Sequence, residues 1–281
     1  MSQLLEMLAL PFLACLMMGG ILAYAGMHVL KREVIFIDIT LAQVAAVGAI
    51  TAQLAFDAHE ETLVSHTMSL GFVFLLAAFC TVLHKKNIQI PLEAVIGVSY
   101  AIAAAAAIFL ISLAPTEIHA EQMLAGSLLW IKRSDLVLGF VVFVATGCCF
   151  YILRRPLLQI SESYRDGLTG GWKIGRWDFA FYALVGIVIT TAVRLAGVIV
   201  VFAFLIIPAS VSALFASGWA TRMLIAWTMA TVASIGGLLF AYYLDFSLGP
   251  AIALFLGIVL IIAAFLRKFE FRLRSGFLRS N

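Results

Sequence analysis

The chain has 281 residues, 64% of them hydrophobic and 12% charged, with a net charge of +3 and a mean hydropathy of +1.10. A water-soluble domain of this size carries about twice that charged fraction, so the composition excludes a soluble globular enzyme and marks an integral membrane protein. Hydrophobic runs near the roughly 20 residues that cross the hydrocarbon core as a helix, without the short alternating segments of a barrel, predict an all-α polytopic fold.

In chain order, eight or nine spans are expected, with nine candidates at 8–30, 34–56, 66–83, 93–114, 134–153, 178–193, 197–217, 221–244 and 249–266. The first run has no preceding Lys or Arg and no small-residue cleavage pattern, so it is read as a mature helix rather than a secretion signal. Residues 118–131 are read as a re-entrant or surface-lying helix. An external N-terminus and a cytoplasmic C-terminus leave only Lys132, Arg133 and Arg194 of the eighteen basic residues outside, as the inside-positive bias requires. The charge is thereby used by membrane topology and does not point to nucleic acid. Cys15, Cys80, Cys148 and Cys149 lie in apolar runs without metal or redox spacing and are read as packing thiols.

The longest polar connection, RRPLLQISESYRDGLTGGWKIGRW (154–177), is expected in the cytoplasm. Its centre has the pattern of a short amphipathic helix, and Gly170, Gly171 and Gly175 are expected to turn the chain back into the membrane. A partner's grip and a solvated linker are both compatible with that composition. The chain carries no GxxxxGK[ST] loop, so any ATP belongs to a partner; GxSxG, HExxH and dinucleotide motifs are missing as well. Catalysis and a bound cofactor therefore have no support.

Four motifs, in order, carry a resemblance. RLAGVIVVFAFLIIPASVSALFA (194–216) holds an Ile-Pro-Ala with Pro208 and Ala209, and GLLFAYYLDFSLGPAIAL (237–254) holds Tyr242, Asp245 and Gly249. PLEAVIGVSYAIAAA (91–105) holds Glu93, Ile96 and Gly97, and AGSLLWIKRSDLVL (125–138) holds an Asp-Leu pair. Together they resemble the metal-type ABC transporter permeases, importers of manganese, zinc and iron. The resemblance implies an ABC importer permease fold forming one transmembrane domain over 1–281, in a bacterial inner membrane. It also implies a second permease chain, most simply in a homodimer, two cytoplasmic ATPase subunits and an external solute-binding protein. On this resemblance 154–177 is the segment that docks on the ATPase, through Ser161, Glu162, Tyr164, Arg165 and Asp166.

The family's second span carries an Asp and a His as metal contacts, and VIFIDITLAQVAAVGA (34–49) departs from it. Ile39 stands at the Asp position and Gln43 at the His position, with Asp38 one residue early. Gln43 offers a neutral carbonyl oxygen, a weaker ligand for a transition metal than imidazole. Asp38 and Gln43 are about 140° apart on an ideal helix, while Thr40, Gln43 and Val47 share a face, so Gln43 with Thr40 is the better pore-lining pair. Two readings stand for Asp38: an ion pair with Lys31 or Arg32, or a place on the pathway. Glu93 is read as a pathway acid or a helix N-terminal charge, and Asp245 as a pathway acid or a helix cap.

His59, Glu60, Glu61, His66, Glu117, His119 and Glu121 are expected outside, as intake residues for a cation, contacts for a binding protein or solvated loop residues. Pro208 lacks a backbone donor and is expected to break or kink its span at a gate. The function expected is the permease subunit of an ATP-driven importer for a divalent metal, zinc or manganese. The alternatives are an importer of a chelated metal or organic solute, a non-transporting scaffold or regulatory subunit, and a self-powered carrier using Asp38.

Overall fold

Runs of 18 or more apolar residues bury their backbone polar groups only by forming helices, and the computed structural model realises this. It describes residues 2–56, 62–85, 91–113, 128–163 and 172–279. Among them are ten α-helices, one 3-10 turn and no strand: α1 (Ser2–Lys31), α2 (Ile37–Phe56), α3 (Leu63–Lys85), α4 (Leu92–Ser112), the turn Leu128–Trp130, α5 (Arg133–Ile152), α6 (Arg154–Ser163), α7 (Trp172–Ala196), α8 (Val198–Phe215), α9 (Trp219–Leu244) and α10 (Leu248–Arg279). All but α6 are long and apolar enough to span a membrane, and they coincide with the nine expected spans.

The sequence expectations for 118–131 meet the described residues only at their end. Leu128–Trp130 forms a single 3-10 turn with Leu128 buried, and residues 118–127 lie outside the described residues. Gly175 does not turn the chain; it lies inside α7, which begins earlier than expected, at Trp172. Gly170 and Gly171 lie outside the described residues. The helix in 154–177 starts at once, separated from α5 by Leu153 alone.

α2 is buried on all sides, Asp38 and Thr40 included, and is enclosed by α3, α4 and α7. Gly48 makes the tightest of these contacts possible: a Cβ there would lie 2.7 Å from Ser69 Cα and 2.8 Å from Met68 O on α3. α4, by contrast, buries only Ile96, Ala103 and Ala107, and leaves Val98, Ile102, Ile108 and Phe109 facing outward. α8 packs on α1, α9 and α10. It is joined to α7 by Gly197 alone, whose φ of 82° and ψ of 162° belong to a region that only glycine enters without strain.

Polar contacts fix which helix ends lie together. The end of α1 meets α6 and the start of α7 through Arg32, and the start of α9 meets α6 through Trp219. The starts of α2 and α4 meet where Thr40 donates to Ile96 O. At the other end, Arg194 of α7 meets Ser65 and His66 at the start of α3. This alternation of ends is the one that the nine spans among the described residues require.

Candidate functional site

α6 is built as a two-faced helix. Leu157 and Ser161, one turn apart, are buried against the bundle, while Arg154, Arg155, Gln159 and Glu162 face outward. Its inner face is held by a polar cluster at the ends of two spans, α1 and α7. Arg32 Nε donates to Ser161 Oγ at 3.0 Å, and Arg32 NH1 donates to Asp178 Oδ1 at 2.7 Å, with both members of the ion pair fully buried. The guanidinium also lies 4.0 Å from the centre of the Phe181 ring. His28, buried one turn before Arg32, shares a 2.9 Å hydrogen bond between Nδ1 and Ser161 Oγ and packs edge-on to Tyr24. A histidine therefore stands beside a serine, an arrangement not expected from the sequence. It is sealed from solvent and tied to a cation, so it serves as a fastening and not as a relay.

The outer edge of α6 carries a second, exposed fastening. Glu162 Oε1 accepts from the Trp219 indole N–H at 3.1 Å and from Lys31 Nζ at 3.2 Å, and Lys31 sits 4.8 Å over the Trp219 ring. The indole hydrogen bond first, and then the lysine, hold the Glu162 carboxyl below the usual carboxylate range. Of the expected coupling residues, Ser161 and Glu162 thus contact the spans; Tyr164, Arg165 and Asp166 lie outside the described residues.

In the second span the structure bears on one of the two readings for Asp38, the ion pair. Arg32 pairs with Asp178 and Lys31 with Glu162, so the pair expected with Asp38 does not form. Asp38 is 2% exposed, in the first turn of α2, and its Oδ1 has no hydrogen-bond partner among the described residues. Thr40 is fully buried and donates to Phe36 O and Ile96 O, which locks α2 to α4 instead of lining a pore. Gln43 is half-buried. Glu93 sits in the first turn of α4, where its charge complements the helix dipole.

Asp245 lies far from these acids. It is exposed at the C-cap of α9, in the left-handed conformation with φ 55° and ψ 46°, at the opposite end of a 26-residue helix, roughly 39 Å from the Trp219 end. The four acid and amide candidates are therefore spread along the bundle. Among the described residues no group of three His, Cys, Asp or Glu is placed to hold a metal ion.

At the Asp245 end, His66 Nε2 faces Arg194 NH1 at 2.8 Å. Arginine only donates, so this nitrogen is the acceptor and the ring carries its proton on Nδ1. His59, Glu60, Glu61, Glu117, His119 and Glu121 lie outside the described residues. α8 runs unbroken through Pro208, so of the expected break or kink the helix shows no break. Pro208 is buried where α8 presses against α1, and Gly26 of α1 is the residue whose missing side chain admits the Leu205 carbonyl. Asp135 of the Asp-Leu pair caps α5 by accepting from the Lys132 N–H at 3.2 Å.

Sequence reasoning missed His28, Arg32 and Asp178 as a unit. The signal was present: an acid and a base, each at the border of a span, leave two charges that need partners at the same depth.

Residues 4–267 match the ABC 3 transport family. The manganese import system permease protein ScaB of Streptococcus parasanguinis is 27% identical over 192 residues, covering 68% of this chain and 69% of that protein. The chelated iron transport system membrane protein YfeC of Yersinia pestis is 22% identical over 210 residues, covering 75% and 70%. The solved structure of PsaBC from Streptococcus pneumoniae in complex with Fab shares the fold, with a TM-score of 0.75 at 20% identity over 93% of this chain and 94% of that one. The match extends from the first turn of α1 to Arg267 in α10, and the chain belongs to the ABC 3 transport family.

Proposed function

We propose that this chain is the membrane permease subunit of a bacterial inner-membrane importer for a divalent transition metal, driven by a separate ATPase. The observation that carries this reading is the family match over residues 4–267. Manganese is the first cargo to test, since ScaB is named for it, with zinc as the alternative. A chelated metal is a second reading, favoured by Gln43 standing where the resemblance expects a histidine, and by the name of YfeC.

The ATPase grips the 154–177 segment on the cytoplasmic side, and two permease copies enclose the path, with the N-terminus outside and the C-terminus inside. A solute-binding protein delivers cargo at the Arg194 end. Force on α6 passes to α1 and α7 through Arg32, His28, Ser161 and Asp178, and to α9 through Glu162 and Trp219. α1 packs on α8 with its Pro208, and α7 packs on α2 and α3, so both the proposed gate and the polar second span lie one helix from the seat of α6.

The test is elemental mass spectrometry of metal-starved cells expressing the permease with its neighbouring ATPase and binding protein. A rise in one metal that needs an active ATPase, and that is reduced in Gln43→Ala, supports the reading. No rise in an assembled complex excludes import of the free metals; uptake restored only by a supplied chelate establishes the second reading.

A further inference from the structure

A groove of about 820 Å³ runs between α1, α5, α6 and α9. Its apolar part, away from α6, is lined by Leu16, Ile21, Phe143, Val144 and Trp227, with no charged side chain. It is open on its outer side, where Leu16, Phe140, Val144 and Trp227 are all more than a third exposed. Along α1 it extends from Leu16 to Met27, roughly 17 Å at 1.5 Å per residue, which is close to half of a roughly 30 Å hydrocarbon core.

Its two ends differ. The rim at the α6 end holds Tyr24, Trp219 and Arg154, and the Arg154 guanidinium stacks 4.5 Å from the centre of the Tyr151 ring. Lys31, also at this end, is already engaged by Glu162. Tyrosine and tryptophan favour the headgroup level, and a guanidinium offers a fork suited to phosphate.

We propose that this groove binds one anionic phospholipid of the cytoplasmic leaflet, with its acyl chains against α1, α5 and α9 and its phosphate at Arg154. The site rests on the membrane orientation above, and not on the identity of the cargo. One-leaflet depth and a single cationic rim fit a lipid. The outward face of α5, with Val137, Phe140, Val141 and Val144, is apolar; such a face from a second copy would fill the apolar part of the groove and leave Arg154 without a counter-charge.

The full-length permease is placed in phosphatidylcholine nanodiscs doped with a small fraction of brominated phosphatidylglycerol or brominated phosphatidylcholine. Quenching of Trp227 is read as the difference between wild type and Trp227→Phe. Preferential quenching by the anionic lipid is expected, about fivefold for one cation at the headgroup level. It should be lost in Arg154→Gln and kept in Arg154→Lys. Arg154 is exposed, so both variants fold. Equal quenching by the two lipids overturns the proposal in favour of bulk lipid. Absence of quenching, with Val144→Cys forming a dimer cross-link, overturns it in favour of a second copy.

Discussion

Asp178→Asn removes the carboxylate that lies 2.7 Å from Arg32 NH1 in a site where neither side chain is exposed. The guanidinium keeps its bond to Ser161 and its place over Phe181, so it stays in position while losing the buried carboxylate that faces NH1. Breaking one side of a buried pair costs about 3–5 kcal/mol, most of it the penalty of the orphaned charge. Arg32→Met with Asp178→Leu removes both charges and gives up the Arg32–Ser161 hydrogen bond, about 1–1.5 kcal/mol, so the double variant should be more stable than either single one. Chemical unfolding of the purified permease in micelles, arranged as a double-mutant cycle, measures this coupling. If Asp178→Asn costs under about 1 kcal/mol, or the two substitutions simply add, the pair does not fasten α6 to the bundle as argued. A transport readout separates fastening from folding: the double variant should fold, and the uptake obtained per ATP hydrolysed reports how much of the linkage it retains.

Three further outcomes follow from the geometry. Gly48→Ala should cost about 1–3 kcal/mol, because its Cβ meets α3 backbone at 2.7 and 2.8 Å, while Gly71→Ala, with nothing within 4 Å, should be neutral or stabilising in the same unfolding assay. Glu162→Ala should lower stability by only about 0.2–1 kcal/mol, since the pair is exposed. Its carboxyl is already held low by Trp219 and Lys31, so the contribution is complete above the ordinary carboxylate value of about 4.3 and fades only as pH falls through the lowered one. A titration of the wild-type minus variant difference should accordingly be flat from pH 5.5 to about pH 8, and a slope there would assign the effect to another group. Pro208→Ala restores a donor for the Phe204 carbonyl within α8; uptake should fall while assembly survives, and unchanged uptake would remove Pro208 from any gate.

The nine spans were legible because a run of apolar residues has one low-energy form in hydrocarbon, and neither α2 nor α8 needs a neighbour to be recognised as a helix. α6 was legible for a different reason, its alternation of Leu157 and Ser161 with charged neighbours. At Pro208 local sterics allow a break or a kink, and packing on α1 and α9 accompanies a helix that stays in one piece. Thr40 misled: face geometry grouped it with Gln43, and the approach of α4 gave it the Ile96 carbonyl instead.

Composition and periodicity by themselves determined that this protein is a helical membrane bundle, which segments are its spans, and which loops carry the positive charge. They also gave four ordered motifs that marked the family. Only the tertiary structure decided which charges meet. Arg32 and Asp178 stand 146 residues apart, and Lys31 and Glu162 stand 131 apart. Local energetics does not see such pairs, because the partner of a buried charge is chosen by which helix ends share a depth and a side of the bundle. That choice is made by the packing of α1, α6, α7 and α9 against one another.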